Sequence, residues 1–116
     1  ERAYGSLADL LRSSERPTAF FATRDHRAEM IWRACRELNL RIPEDLSVIS
    51  YENNYASAYM VPPHTTVAQD FTRLAEHAVN LALEALEGQV ISDRHIEVPN
   101  SFIERDSVKI RMTINQ

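Results

Sequence analysis

Apolar residues recur along this chain at two different periods. Leu7, Leu10 and Leu11 follow helical spacing, and Pro17 stops that helix at or before Arg16. Residues 18–23, TAFFAT, form a short aromatic-rich apolar run that predicts a buried strand. Asp25 then stands where a helix N-cap belongs. From there Ala28, Ile31, Trp32, Cys35 and Leu38 repeat at three- and four-residue steps, predicting an amphipathic helix that ends near Leu40. Residues 41–45, RIPED, read as a turn, and residues 46–50, LSVIS, as a second continuous apolar strand. Strand, helix, strand in this order is one βαβ unit, expected to have parallel strands and a right-handed crossover.

The second half is patterned differently. Residues 52–65 read as a loop carrying Tyr55, Tyr59, Met60 and two prolines, followed by a short extended connection, TTVAQ, at 65–69. Asp70 is a second N-cap candidate. Phe71, Leu74, Ala75, Ala78, Val79, Ala82, Ala85 and Leu86 then predict a long helix closed by Gly88 as its C′ residue. Its alanine content predicts close packing against another element. Residues 95–99 and 101–108 alternate enough to be strands or extended edges. Beyond Val108 an extended edge and disorder are equally compatible with the pattern. There is no internal repeat and no low-complexity tract.

The 116 residues are the usual size of one domain, and 44% hydrophobic with 26% charged is an ordinary globular composition. A net charge of −4 argues against a nucleic-acid-reading surface within this stretch. The basic clusters around Arg24/Arg27 and Arg33/Arg36 read as solvated helix faces. Cys35 is the lone cysteine, so a disulfide framework is excluded and a reducing compartment fits. No run is long enough to span a membrane, and no secretory leader opens the chain. Because the first residue is Glu1 rather than Met, a fragment or processed piece is expected.

Catalytic and cofactor chemistry is thin. His26, His64, His77 and His95 lack metal-ligand spacing, and no Ser or Cys nucleophile motif is present. A chain with two glycines has no glycine-rich phosphate loop. No enzyme activity, cofactor or metal is expected. The strand ends are more informative. In open parallel α/β sheets, ligands bind outside the carboxyl ends of the strands. The first strand delivers Thr23-Arg24-Asp25 and the second Ser50-Tyr51-Glu52-Asn53. Being consecutive and parallel, they are expected to end close together, so a polar ligand could bridge Arg24 and Glu52. Asp25 has two readings, a helix cap or a ligand group. Polar residues at a strand end also have a plainer role, which is to bring the chain out to solvent.

The stretches RPTAFFATRDHRAEMIWRACRELNLRIPEDLSVISYENN and PPHTTVAQDFTRLAEHAVNLALEALEG resemble the C-terminal part of the effector-binding region in lactose-repressor-like (LacI/GalR) transcription regulators. The family pattern is a strand entering an AND turn, then RELGLRVPEDVSVVGFDD, then PPLTTV.QDF, then LP..L..R.S. The match runs from about Arg16 to Ser107, and the IPEDLSVI and PPHTTVAQDF blocks are specific in combination.

The resemblance implies an α/β fold: a parallel-sheet, periplasmic-binding-protein-like (type I) lobe of three α/β/α layers, incomplete over residues 1–116. Its long helix and following segment, 70–95, would cross to an N-terminal lobe. It also implies that Arg24, Glu52 and Phe71, with Asp25 beside them, contact a small effector. Arg24 replaces the family's Asn, Ser50 its Gly, Glu52 its first Asp and Asn53 its second. A guanidinium fork suits carboxylate or phosphate, so either the effector is anionic or Arg24 and Glu52 close the site by pairing. Met30, Arg33, Tyr55, Tyr59 and Met60 are implied at a dimer contact, and either Ile31 or Trp32 is expected to face a partner. The function implied is that of the ligand-sensing, homodimeric part of a cytoplasmic regulator. DNA would be bound through a headpiece outside this chain, and a lone fragment would swap or pair to cover its helix. Two alternatives are a solute-binding protein of a sugar transporter and a domain that only dimerises.

Overall fold

A computed structural model describes residues 2–89 and 95–110. The chain divides into two compact units. The first comprises residues 1–68 and 102–116, the second residues 69–101. The chain order is α1 (Arg2–Arg12), β1 (Ala19–Phe21), α2 (Asp25–Glu37), β2 (Ser47–Glu52), β3 (Thr65–Ala68), α3 (Phe71–Leu86) and β4 (Ser101–Ile103). A short 3-10 turn, Tyr55–Ala58, lies between β2 and β3.

The sheet order is β1-β2-β3-β4, with β1 parallel to β2 and β2 parallel to β3. The βαβ unit is therefore formed. α2 begins with Arg24 as N-cap and closes at Leu38, and Asn39 then takes a left-handed φ of 56° that turns the chain. The helix is thus shorter than its apolar repeat, because Leu38 and Leu40 belong to the turn that caps it. The connection from β2 to β3 contains no α-helix. About a dozen residues suffice to bring a strand back parallel, and here the 3-10 turn makes the crossover.

In the first unit, one core joins α1, α2 and the sheet: Leu11, Ala22, Ala28, Ile31, Ala34, Cys35, Leu46 and Val48. The periodicity of α2 is accounted for by this core. Ile31 is buried within it, whereas Trp32 is half-buried and donates from Nε1 to the Val61 carbonyl at 3.2 Å. Burial raises the Cys35 thiol pKa to about 11, which keeps it protonated and unreactive. Tyr4 ties α1 to α2, donating to Glu37 at 2.5 Å beneath the Arg33 guanidinium, which lies 4.7 Å from its ring centre.

Two expectations are corrected. Residues 18–23 are not a buried strand: β1 is three residues long, with Ala19 and Phe21 exposed, because among the described residues it stands at the edge of the sheet, beside β2. A groove of about 390 Å³ lined by Phe21, Ile49 and Val108 lies open there. Residues 95–100 have no regular secondary structure, and only Ser101–Ile103 of the following stretch is strand. The segment 104–108 is held by both backbone and side-chain hydrogen bonds: the Val48 N–H donates to the Ser107 carbonyl at 2.8 Å and the Asp106 N–H to the Pro63 carbonyl at 3.1 Å, beside the side-chain bonds of Arg105 and Ser107. Of the tail beyond Val108, residues 111–116 lie outside the described residues.

In the second unit, Asp70 caps α3, its carboxylate accepting the Arg73 N–H at 3.0 Å, and Gly88 follows with φ 78°, as the end signals predict. α3 has no buried residue, and Phe71, Val79, Leu83 and Leu86 are exposed.

Ser107 shows how the returning segment is held. Its hydroxyl donates to the Val48 carbonyl at 2.6 Å and accepts the Thr65 N–H at 2.8 Å, all within the buried interior. Ser107→Ala strips a partner from two buried backbone groups and is expected to cost about 3 kcal/mol. Equilibrium urea unfolding measures this, and a loss close to zero would contradict it.

Candidate functional site

The register aligns Phe21 with Ile49, and Glu52 with Ala68, so three parallel strands end at one rim. β1 exits there through Thr23 and Arg24. β2 exits through Glu52 and Asn53. The structure brings Arg24 and Glu52 together: Arg24 Nη1 donates to Glu52 Oε1. The guanidinium is largely exposed and the carboxylate mostly covered, with side-chain exposures of 59% and 21%. An ion pair this open contributes little to stability, on the order of 0–1 kcal/mol. It does present a fork and a carboxylate at one point of the rim.

Asp25 lies directly beneath. It is not the N-cap of α2 but its first residue, 1% exposed, and its carboxylate turns away from its own helix end. Oδ1 accepts from Thr66 Oγ1 at 2.8 Å and from the Ser50 hydroxyl. Oδ2 accepts from the Asn54 N–H at 2.6 Å and from Ser57 Oγ at 2.5 Å. Burial alone pushes the Asp25 pKa up. Hydrogen bonds from Ser50, Ser57, the Asn54 N–H and Thr66 outweigh it, and the pKa ends below the ordinary aspartate value. One anion thus fastens α2, the tip of β2, the 3-10 turn and β3.

The tip itself is unusual. Glu52 has φ 122° and Asn53 φ 56°, two successive non-glycine residues in positive-φ space. Such backbone costs about 1–3 kcal/mol per residue and persists only where neighbours over-determine it. Here the Asn53 N–H donates to Thr66 Oγ1 at 3.3 Å, and Arg105 Nη2 donates to Asn53 Oδ1 at 2.8 Å.

The other expected residues are distributed as follows. Phe71 is exposed at the start of α3 in the second unit. Met30 is half-buried on α2, and Arg33 is exposed and paired with Glu37 at 2.9 Å. Tyr55 and Tyr59 are exposed and lie against each other, their rings tilted by 40° with centres 4.9 Å apart. Met60 lines a groove of about 720 Å³ with Trp32, Arg33, Ile42, Val61 and Pro62. Among the described residues no cluster of three His, Cys, Asp or Glu side chains could hold a metal ion.

Sequence reasoning missed Ser50, Ser57 and Thr66 as partners of Asp25, and Arg105 as a brace. The R.S pattern at Arg105 and Ser107 was the available signal for the brace; no sequence signal marks Ser57. It also missed His64, fully buried with neither ring nitrogen hydrogen-bonded, its ring 4.7 Å from that of Trp32. Burial lowers its pKa to about 4, with Asp25 pulling it up and Arg105 pushing it down.

Two acid responses follow. Between the ordinary histidine value of 6.5 and about 4, the unfolded chain binds a proton that folded His64 refuses. That stability is fully present above pH 6.5 and drains away as pH falls, amounting to about 2 kcal/mol between pH 7 and pH 5. His64→Leu should flatten the pH 7-to-5 difference in urea midpoint, and an unchanged difference contradicts the assignment. Asp25 contributes stability above its unfolded value of 3.8 that is lost only at lower pH. Asp25→Asn turns an NH2 toward two donors and should cost about 3 kcal/mol at neutral pH, read from the same unfolding curves.

Comparison with known proteins fits this architecture. Residues 1–108 match the family model of the periplasmic binding protein-like domain. The HTH-type transcriptional repressor PurR of Erwinia tasmaniensis is 38% identical over 108 residues, covering 93% of this chain and 32% of that protein. The lac repressor dimer bound to operator and the anti-inducer ONPF is 30% identical with a TM-score of 0.81, over 90% of this chain and 36% of that one. A LacI family transcriptional regulator from Enterococcus faecium with bound ribose is 31% identical with a TM-score of 0.73, over 90% and 38%. The chain spans about a third of the length of the curated relatives it matches. By the match over residues 1–108, the chain belongs to the periplasmic binding protein-like domain family, in the form found in LacI/GalR-type transcription regulators.

Proposed function

We propose that this chain is the effector-sensing and dimerisation portion of a cytoplasmic DNA-binding transcription regulator. The observation that carries the reading is the meeting of Arg24 and Glu52 at the carboxyl ends of adjacent parallel strands, where open α/β sheets bind ligands. The Glu52 carboxylate accepts hydroxyl or amine protons. The exposed guanidinium offers donors to a phosphate or carboxylate. Asp25, sealed and saturated with donors, positions both groups from below rather than touching the effector. Phe71, the aromatic of QDF, is a third contact carried by the resemblance alone.

Signalling then follows from linkage: an effector that prefers one arrangement of lobes shifts the regulator by no more than its differential affinity. The chain leaves the first unit after Ala68 and returns at Phe102, the order expected of a segment that crosses to another lobe. That lobe would cover the apolar side of α3; in the chain on its own, a second copy would do so. The exposed Tyr55–Tyr59 pair and the groove bearing Met60, Arg33 and Trp32 support a dimer face, with Met30 on the same helix. Aromatic and Arg side chains are typical interface anchors. DNA contact belongs to a part of the protein outside these residues.

Calorimetric titration of the full-length protein with D-ribose and D-ribose 5-phosphate tests the site. The phosphorylated sugar should bind more tightly, and Arg24→Asn should erase about tenfold of that preference, the worth of one charge-assisted bond. An Arg24→Asn protein with unaltered preference would remove the anionic reading; Glu52→Gln without effect on either sugar would remove the site.

A further inference from the structure

Arg105 sits two residues after β4, on the stretch where the chain has re-entered the first unit. Its guanidinium spans two acceptors. Nη1 donates to the His64 carbonyl at 2.7 Å, just before β3, and Nη2 donates to Asn53 Oδ1 at 2.8 Å. Its backbone is fixed as well: the Arg105 N–H donates to Thr65 Oγ1 at 3.0 Å, and the Asp106 N–H to the Pro63 carbonyl at 3.1 Å. The side chain is therefore a brace from the re-entry segment to the residue following Glu52.

We infer that Arg105 is a positioning residue: it holds the Glu52–Asn53 tip in its positive-φ conformation, so that Glu52 faces Arg24, and it ties that geometry to the segment returning from the second unit. The physical reason is the strain at the tip. Two adjacent non-glycine residues at φ 122° and 56° relax toward extended backbone unless something opposes it. The bonds that oppose it act on different groups. Asp25 holds the Asn54 N–H, Thr66 holds the Asn53 N–H, and only the Arg105 contact grips the Asn53 side chain among the described bonds. The guanidinium fork serves both acceptors at once, and a single ammonium does so less well. A shift of the re-entry segment would move the fork, and with it Asn53 and the Glu52 carboxylate on the adjoining residue. The device acts through Glu52 and touches no effector.

The inference rests on Arg24 and Glu52 being effector contacts, and its test separates the two. Hydrogen exchange of the full-length protein, without ligand, is followed at residues 51–54 and at α1 and α2. Arg105→Gln should speed exchange at the tip by about tenfold while α1 and α2 keep the parent rates, since local opening is independent of global unfolding. Arg105→Lys should fall between. Asn53→Asp, which keeps an acceptor for Arg105 and tolerates the left-handed conformation, should stay near the parent. The same Arg105→Gln protein should bind whichever of D-ribose and D-ribose 5-phosphate the parent binds about tenfold more weakly. Tip exchange that is unchanged, or that rises equally with α1 and α2, overturns the positioning role. Loss of neither sugar's binding despite a loosened tip overturns the link to the effector. If the parent binds neither sugar, the sugar reading fails alone, and the exchange pattern still decides the role of Arg105.

Discussion

A carboxylate removed from water is tolerable only if donors replace the water, and Asp25 receives four of them, two on each oxygen. The donors come from β2, from the loop that follows it, from the 3-10 turn and from β3. A single buried charge therefore sets the spacing between helix and strands at the rim. This explains why small hydroxyl residues sit at Ser50, Ser57 and Thr66, buried around the anion. Each is short enough to reach the anion without holding the strands apart. The arrangement is costly to perturb, because removing any one donor leaves charge uncompensated in a low-dielectric site.

On that base the rim carries a second, looser layer. Arg24 follows from the N-terminus of α2, where it is the cap residue without a capping side-chain bond, so its guanidinium is free to reach Glu52. Glu52 is delivered by backbone in a strained conformation, braced by Thr66 and Arg105. A buried anion below and a partly exposed ion pair above is the division that the proposed ligand-sensing role requires. The lower layer supplies precision. The upper layer can exchange partners with a ligand at small cost, because the ion pair it gives up is itself weak. His64 adds a liability of its own. Its ring fills interior space beside Trp32 with neither nitrogen hydrogen-bonded, and so makes the rim's foundation sensitive to acid.

Much of this organisation is legible in the amino-acid order. Period-3.6 repeats mark α1, α2 and α3, Asp70 and Gly88 bound the last of them, and the short apolar runs mark β1 and β2. Local chemistry decides these features: a helix needs its apolar stripe and its caps, and a parallel inner strand needs apolar residues on both faces. The same logic places Arg24 and Glu52 at strand ends, and adjacent parallel strands must end near one another. The exposure of β1 and the lack of a strand at 95–100 were not legible, since edge position and pairing depend on what lies beside a strand rather than on its own residues.

The partners of Asp25 lie outside the reach of pattern reading for the same reason. Asp before a helix is locally indistinguishable from an N-cap, and only the return of residues 50, 54, 57 and 66 to one point redirects its carboxylate. The grip of Arg105 on Asn53, across half the chain, is likewise a product of the strands' register and of the path by which the chain re-enters. The sequence by itself determined where the helices and the first two strands lie and which polar groups reach the rim, because those choices follow from near neighbours along the chain. The tertiary structure alone decided which group is sealed in, which is strained and which remains exposed, because burial and hydrogen-bond partnership are set by residues distant in sequence.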